Sequence, residues 1–309
     1  TYTYIYIYIY IYSSSMWCVP CSCIQPFAVH SLSVQKKKTN IELSNFVTRK
    51  MHQQRTTTTT TTTTRATDSP SSSSSPNDTN HQQQKQLDLI IWDVDGTLAN
   101  TTTLAFEATN EVLKKHNFDE ISLEQYEYGS RYTTPKRFSY HACGDSEGHK
   151  ELGEKLGASF DRYYVELVTR ETAGLFSGIR NIVERTKSVK HAALSNACGE
   201  YARRVVKVNK LDSIFEMSLG ADDVSKAKPE PGGIRELCQK LNVDVSNACY
   251  VGDAPSDGRA AKAAGCMFSI GVNWGSHDLS DPTNEEHFDI VCETREELER
   301  FFMKALSDN

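Results

Sequence analysis

No run of about 18 consecutive apolar residues occurs in the 309-residue chain, and without one there is no membrane-spanning helix to place. Acidic residues are scarce at the front: residues 1–86 hold three of the 40 carboxylates (Glu42, Asp68, Asp78) against eight of the 34 Lys and Arg. Basic residues are correspondingly short in residues 87–309, where 26 stand against 37 acids. A body with that excess of negative charge lacks the basic face that a phosphate backbone requires, which argues against nucleic acid as a partner. Zinc-finger pairing is missing too. Cys18, Cys21 and Cys23 form CxxCxC, but no Cys or His group follows at matching spacing, so they are read as incidental. The other six cysteines (143, 198, 238, 249, 266, 292) are scattered through a chain without a secretory signal and read as reduced, mostly buried small residues.

What the first 86 residues do contain is repetition. Residues 1–12 read TYTYIYIYIYIY, a strand-like alternation with no polar face, turn or partner. Ahead of Met16, this run reads as translated repetitive sequence outside the natural protein over 1–15; the structural alternative is an aggregation-prone β segment. Thr56–Thr64, Ser71–Ser75 and Gln82–Gln84 are tracts that bury too little apolar surface to offset chain entropy, so 13–86 is expected to be disordered. The Ser/Thr-rich, acid-poor composition fits an organelle transit peptide, for plastid or mitochondrion, and equally a low-complexity linker on a cytoplasmic protein.

From Leu87 onward short apolar runs alternate with helical spacing. Leu89–Trp92, His191–Leu194, Met217–Leu219, Cys249–Val251 and Met267–Ile270 are strand candidates; Glu200–Asn209, Gly233–Leu241 and Pro255–Ala264 are helix candidates. The alternation implies an α/β fold with a doubly wound parallel sheet, whose ligand sits beyond the carboxyl ends of the strands. Polar residues fall at those ends. Leu89–Trp92 runs into Asp93-Val94-Asp95-Gly96-Thr97, His191–Leu194 into Ser195-Asn196, and Cys249–Val251 into Gly252-Asp253-Ala254-Pro255-Ser256-Asp257. Lys228 lies between the last two, in Lys-Pro-Glu-Pro. A DxD can be a turn and a lone lysine is ordinarily a solvated charge, but four such features in this order exceed what packing or turns require.

With Asp93-Val94-Asp95-Gly96-Thr97-Leu98, Leu194-Ser195-Asn196, Lys228-Pro229, and Gly252-Asp253 with Asp257, the chain resembles the haloacid dehalogenase-like phosphohydrolase superfamily over essentially all of 87–275. Ala193–Gly199 and Gly271–Gly275 look like its phosphoglycolate phosphatase-like branch. The resemblance implies a Rossmann-like core over 87–102 and 177–309 and a small helical cap over 103–176.

The residues suit that chemistry. Asp93 is available as a nucleophile on phosphorus, forming an aspartyl-phosphate, and Asp95 as acid for the leaving alcohol and then base for water. Lys228, the Ser195 hydroxyl and Asn196, near a helix N-terminus, supply charge and donors for phosphoryl oxygens. Asp93, Asp95, Asp253 and Asp257 crowd negative charge; at an effective dielectric of about 20, each pair about 4 Å apart costs roughly 4 kcal/mol. A divalent cation relieves this, and an oxygen-only site beside phosphate favours Mg²⁺. By resemblance its ligands would be the Asp93 carboxylate, the Asp95 carbonyl and Asp253, with Asp257 in support. Asp95 is absent from the dehalogenases that name the superfamily, and so points to phosphate chemistry. Many relatives carry Asp where this chain has Asn100, a position towards the cap hinge.

The insert is helical in spacing: Leu104–His116 with Phe106 and Leu113, then Gly148–Arg170 with Leu152, Leu156, Phe160, Tyr164 and Leu167, all expected as cap core. Between them Arg131, Lys136, Arg137 and His141 gather positive charge, and Thr134-Pro135 is a helix start. A cap closing over a small dianion needs a cation for the far end of the substrate, and Arg131, Lys136 and Arg137 are the candidates. His191, Trp92 and Trp274 are expected to be packing residues.

The expectation is therefore an Mg²⁺-dependent phosphatase for a small phosphorylated metabolite such as 2-phosphoglycolate. The alternatives are a sugar-phosphate phosphatase, a β-phosphoglucomutase-like phosphomutase or a pyrophosphatase, and, against the intact Asp93, Asp95, Lys228 and Asp253, a non-catalytic binding protein.

Overall fold

The structure, a computed structural model, describes residues 45–50 and 86–307. The repeat at 1–12, the cysteines at 18, 21 and 23, and the Thr, Ser and Gln tracts lie outside the described residues. In chain order β1 (Leu89–Trp92) is followed by α1 (Thr102–Lys115), α2 (Leu123–Gly129), α3 (Thr134–Cys143) and α4 (Lys150–Leu167). Then come α5 (Ile179–Arg185), β2 (Lys190–Leu194), α6 (Gly199–Val208), β3 (Phe215–Leu219), α7 (Gly232–Leu241), β4 (Ala248–Gly252) and α8 (Pro255–Ala264). The chain closes with β5 (Phe268–Val272), α9 (Pro282–Glu285), β6 (Ile290–Cys292) and α10 (Arg295–Ser307).

Among the described residues all six strands are parallel, in the order β3-β2-β1-β4-β5-β6. From β1 the chain winds outward through β2 and β3, then returns to the other edge of β1 and winds outward through β4 to β6. The reversal leaves a crevice at the carboxyl ends of β1 and β4, where doubly wound sheets bind ligands. β1 is buried on both faces because its alternate residues enter separate cores. Ile90 and Trp92 pack with Ile182, Val205 and Phe302, whereas Leu89 and Ile91 pack with Ile234, Leu237 and Ala260.

The four helices inserted after β1 bury Leu113, Phe138, Leu156 and Phe160. α3 and α4 approach closely because Gly153 has no side chain; a Cβ there would lie 2.3 Å from the Pro135 carbonyl oxygen. Residues 45–50 are helical, with Val47 buried, Phe46 packed on the same core, and Lys50 ion-paired with Asp289. The disorder expected over 13–86 therefore does not extend to these six residues, where an apolar pair interrupts the polar composition and finds a partner surface.

His191 is a packing residue. It is fully buried, accepts a hydrogen bond from Trp92 Nε1 at its Nδ1 (3.0 Å), and presents Nε2 to the Thr186 carbonyl (3.1 Å). Burial pushes its imidazole down to about 4, against the pull of that carbonyl. Unfolding therefore takes up a proton below about pH 6.5, and stability falls as pH drops from there towards 4. His141, also lowered to about 4 by burial and by Arg137, adds to the slope. Urea unfolding of His191→Gln should show a shallower loss between pH 7 and pH 5 than the parent; an equal slope would remove His191 from this account.

Candidate active site

The polar residues beyond the strands converge on one cleft, lined by Asp93, Asp95, Ser195, Asn196, Lys228, Asp253 and Asp257 from the sheet side. Asp93 continues the β1 ladder, its N–H donating to the Val251 carbonyl (2.8 Å). The chain then turns back, with the Leu98 and Ala99 amides both donating to the Val94 carbonyl (3.1 and 3.0 Å). Gly96 makes that turn possible: its φ is +74°, and a Cβ would sit 2.3 Å from Asp253 Oδ2. Close contact between the β1 and β4 loops thus depends on a missing side chain.

Lys228 is the hub. Its Nζ donates to Asp93 Oδ1 (2.6 Å), Tyr250 Oη (2.7 Å) and the Leu194 carbonyl (3.0 Å), and pairs with Asp257 Oδ1 (2.8 Å). Asp257 turns its other oxygen to the Ala254 amide (3.0 Å), so it closes the start of α8 while facing the lysine. Asp253 accepts from Thr97 Oγ1 (3.2 Å) and the Ser276 amide (2.7 Å).

Burial pushes the Asp93 carboxyl well above its usual range; Lys228 opposes this, while Asp257, Asp253 and Asp95 add to it. Burial likewise raises Asp257 despite Lys228. For Lys228 burial works against the charge, yet Asp257 and Asp93 outweigh it and hold the ammonium well above its ordinary value. Carboxylate oxygens of Asp93, Asp253 and Asp257 lie within 4.8 Å of one another. A buried, all-oxygen set with more negative charge than one lysine balances suits a small hard divalent cation.

Asp95 has different company. Its Oδ1 accepts from Tyr201 Oη (2.5 Å), Thr101 Oγ1 (2.6 Å) and Tyr164 Oη (3.2 Å), and its Oδ2 only from Ser195 Oγ (3.3 Å). Asn196 braces the neighbouring loop through Nδ2 to the Lys228 carbonyl (3.0 Å), leaving a buried Oδ1 without a partner. Asn100 is exposed, and its amide bonds Gly174 (3.0 Å) while Phe176 bonds Leu98 (3.0 Å), so it stands where the two cap connections run side by side.

The cap candidates separate. Arg131 is exposed, lies over the Tyr128 ring (3.8 Å) and donates to the Tyr128 carbonyl; Lys136 is exposed and paired with Glu147. Neither lines the cleft: the Arg131 side chain is turned back onto Tyr128, and Lys136 points about 100° around α3 from Arg137. Arg137 does line it. Only 8% exposed, its guanidinium rests among Phe160 (4.7 Å), Tyr126 (5.5 Å) and Phe138 (5.7 Å), with Nε and Nη2 buried and unpartnered. His141 is held neutral near pH 7 and is no cation.

Among the lining residues that sequence reasoning missed, Tyr126, His277 and Tyr164 stand out. Tyr126 and His277 carried no motif, although His277 closely follows Gly271–Gly275. Tyr164 was expected as cap core; its ring is buried there, but its hydroxyl enters the site. Trp274 packs partly against the core and donates from Nε1 to the Thr97 carbonyl (3.3 Å).

Comparison with known proteins agrees with this fold. The sequence profile of the haloacid dehalogenase-like hydrolases matches residues 90–271. A phosphoglycolate phosphatase of Neisseria meningitidis is 29% identical over 208 residues, spanning 63% of this chain and 84% of its own length. A protein of Caldanaerobacter subterraneus named for pyrophosphatase activity is 26% identical over 194 residues, 61% of this chain and 83% of its own. Among solved structures, CbbY of Rhodobacter sphaeroides in complex with phosphate superposes with a TM-score of 0.57 at 23% identity, covering 69% of this chain and 96% of that one.

Proposed function

The chain belongs to the haloacid dehalogenase-like hydrolases, and on that premise we propose that it is an Mg²⁺-dependent phosphatase for a small phosphomonoester with a second anionic group, best matched by 2-phosphoglycolate. The observation that carries the substrate class is Arg137. A guanidinium buried among three aromatic rings with two nitrogens unpartnered is set to meet a planar carboxylate or a phosphate, and among the described residues the cleft offers no other buried cap cation. The cavity, about 90 Å³, is well below the few hundred usual for drug-sized ligands, which favours a small ester.

In this reading an Asp93 oxygen attacks phosphorus, the ester P–O bond breaks, and Asp95 gives its proton to the departing alkoxide. Water then attacks the aspartyl-phosphate, Asp95 takes its proton, and Asp93 is regenerated as phosphate leaves. Lys228 holds Asp93 in place throughout, with Asp257 and Tyr250 holding Lys228. Ser195 and Asn196, which line the cleft at the approach to α6, would meet the phosphoryl oxygens. Mg²⁺ held by Asp93, Asp253 and the Asp95 carbonyl would neutralise charge on the phosphoryl group. Pyrophosphate, a small ligand with two anionic ends, is the second reading, favoured by the name of one relative.

Phosphate release by the full chain with Mg²⁺, compared across 2-phosphoglycolate, pyrophosphate, sugar phosphates and ethyl phosphate, tests this. Arg137→Gln is expected to cut kcat/KM for 2-phosphoglycolate about 10- to 100-fold, the range of a lost charge-assisted pair, and to leave ethyl phosphate nearly unchanged. Should phosphoglycolate rank no higher than ethyl phosphate in the parent, the substrate assignment is wrong while hydrolysis stands.

A further inference from the structure

We infer that Tyr164 of the cap and Tyr201 of the core are positioning residues for Asp95, and that they tie its orientation to seating of the cap. The inference rests on the reading of Asp95 as acid and base. Three hydroxyls crowd Asp95 Oδ1, from Tyr201 (2.5 Å), Thr101 (2.6 Å) and Tyr164 (3.2 Å), while Oδ2 has a single longer contact from Ser195 (3.3 Å). A carboxylate anchored so unequally keeps one oxygen fixed and presents the other, Oδ2, to the cleft for proton exchange.

The two phenols act as one device contributed by two parts of the chain. Tyr164 lies on α4 and Tyr201 on α6; their rings stack at 4.4 Å and 17°, and their hydroxyls meet at 3.1 Å. Both are buried, at 2% and 0% exposure. A phenol keeps its proton at neutral pH, so each hydroxyl serves as a donor. One proton on Tyr164 has two acceptors within reach, Tyr201 Oη and Asp95 Oδ1. Tyr201 therefore makes the direct bond, and Tyr164 polarises it or adds a second. Because Tyr164 rides on the cap, Asp95 is fully anchored only while the cap is seated. A buried tyrosine hydroxyl needs some partner in any fold. Two of them sharing one oxygen of the acid–base residue is more than that need explains.

The test uses the full chain and two leaving groups. An alkoxide needs the Asp95 proton to depart, whereas p-nitrophenolate leaves without it. In rapid-quench first turnovers, Tyr201→Phe and Tyr164→Phe should each slow release of the alcohol from the best alkyl phosphate by about tenfold, with KM within about twofold. The first-turnover release of p-nitrophenol from p-nitrophenyl phosphate should stay within about twofold of the parent. Equal loss on both esters, or loss on neither, overturns the inference. Phenylalanine preserves the stacked rings, and thermal midpoints report folding; if Tyr201→Phe does not fold, Tyr164→Phe carries the test with the same outcomes. A parent that releases phosphate from neither ester refutes the phosphatase reading itself, and that result is separate from any variant.

Discussion

Asp93→Asn is expected to lower turnover on the best phosphoester by about 10⁴-fold, roughly 5.5 kcal/mol of transition-state stabilisation, without loosening the fold. The amide keeps the shape of the carboxyl but is no nucleophile towards phosphorus, and no second carboxylate can take its place. Asp95 is anchored by hydroxyls, Asp257 by Lys228 and the Ala254 amide, and Asp253 by Thr97 and Ser276. Stability should move the other way. The Asp93 carboxyl is raised by burial and by three neighbouring acids more than Lys228 lowers it, so its ionised form opposes folding at neutral pH. A neutral isostere removes that term, and the metal-free thermal midpoint should hold or rise, by about 2–4 °C for each kcal/mol relieved. Added Mg²⁺ should raise the midpoint of the parent more than that of the variant. Turnover retained above about one per cent of the parent would show that another group carries the nucleophilic step.

Much of the centre of the site was legible because Asp93, Ser195 and Asp253 each follow a buried strand directly. The sheet order then requires Asp93 and Asp253, which follow the adjacent strands β1 and β4, to be neighbours in space. Lys228 could be placed only through its motif, since nothing in residue spacing shows that it reaches both acids. The cap shows where such reading stops. Arg131, Lys136 and Arg137 share one charge and one short segment; the rotation of α3 decides that Arg137 and not Lys136 enters the cleft, and Arg131, ahead of that helix, turns onto Tyr128. Tyr164 satisfied the spacing of a cap-core residue; periodicity reports where the ring goes and says nothing of where the hydroxyl ends. In α10, Leu298, Phe301, Phe302 and Ala305 stand at helical spacing and were open to the same reading, whereas β6 has only three residues and no alternation to detect.

Lys228→Met should cost both activity and stability, and the two losses should respond differently to pH. Turnover is expected to fall about 10³-fold, because Asp93 loses the cation that orients it and the phosphoryl group loses a fixed charge. Unfolding free energy should drop by about 3–5 kcal/mol at pH 8, the usual result of removing one partner from a buried ion pair. The methionine fills the stem of the lysine but leaves Asp93 and Asp257 facing each other, 7% and 1% exposed, with no positive charge between them. Both carboxyls already stand above their ordinary values in the parent, and losing the lysine raises them further. For an acid whose folded pKa exceeds its unfolded one, the penalty is present above the folded pKa and disappears as pH falls through it. Lys228 does not titrate in this window, since its raised pKa keeps it charged well beyond pH 8. The stability gap between parent and variant, measured by urea unfolding without metal, should therefore shrink steadily from pH 8 to pH 5, while activity stays lost throughout. A gap that is the same at both ends of that range would mean the loss comes from packing around the methionine, and that Lys228 does not balance the two acids.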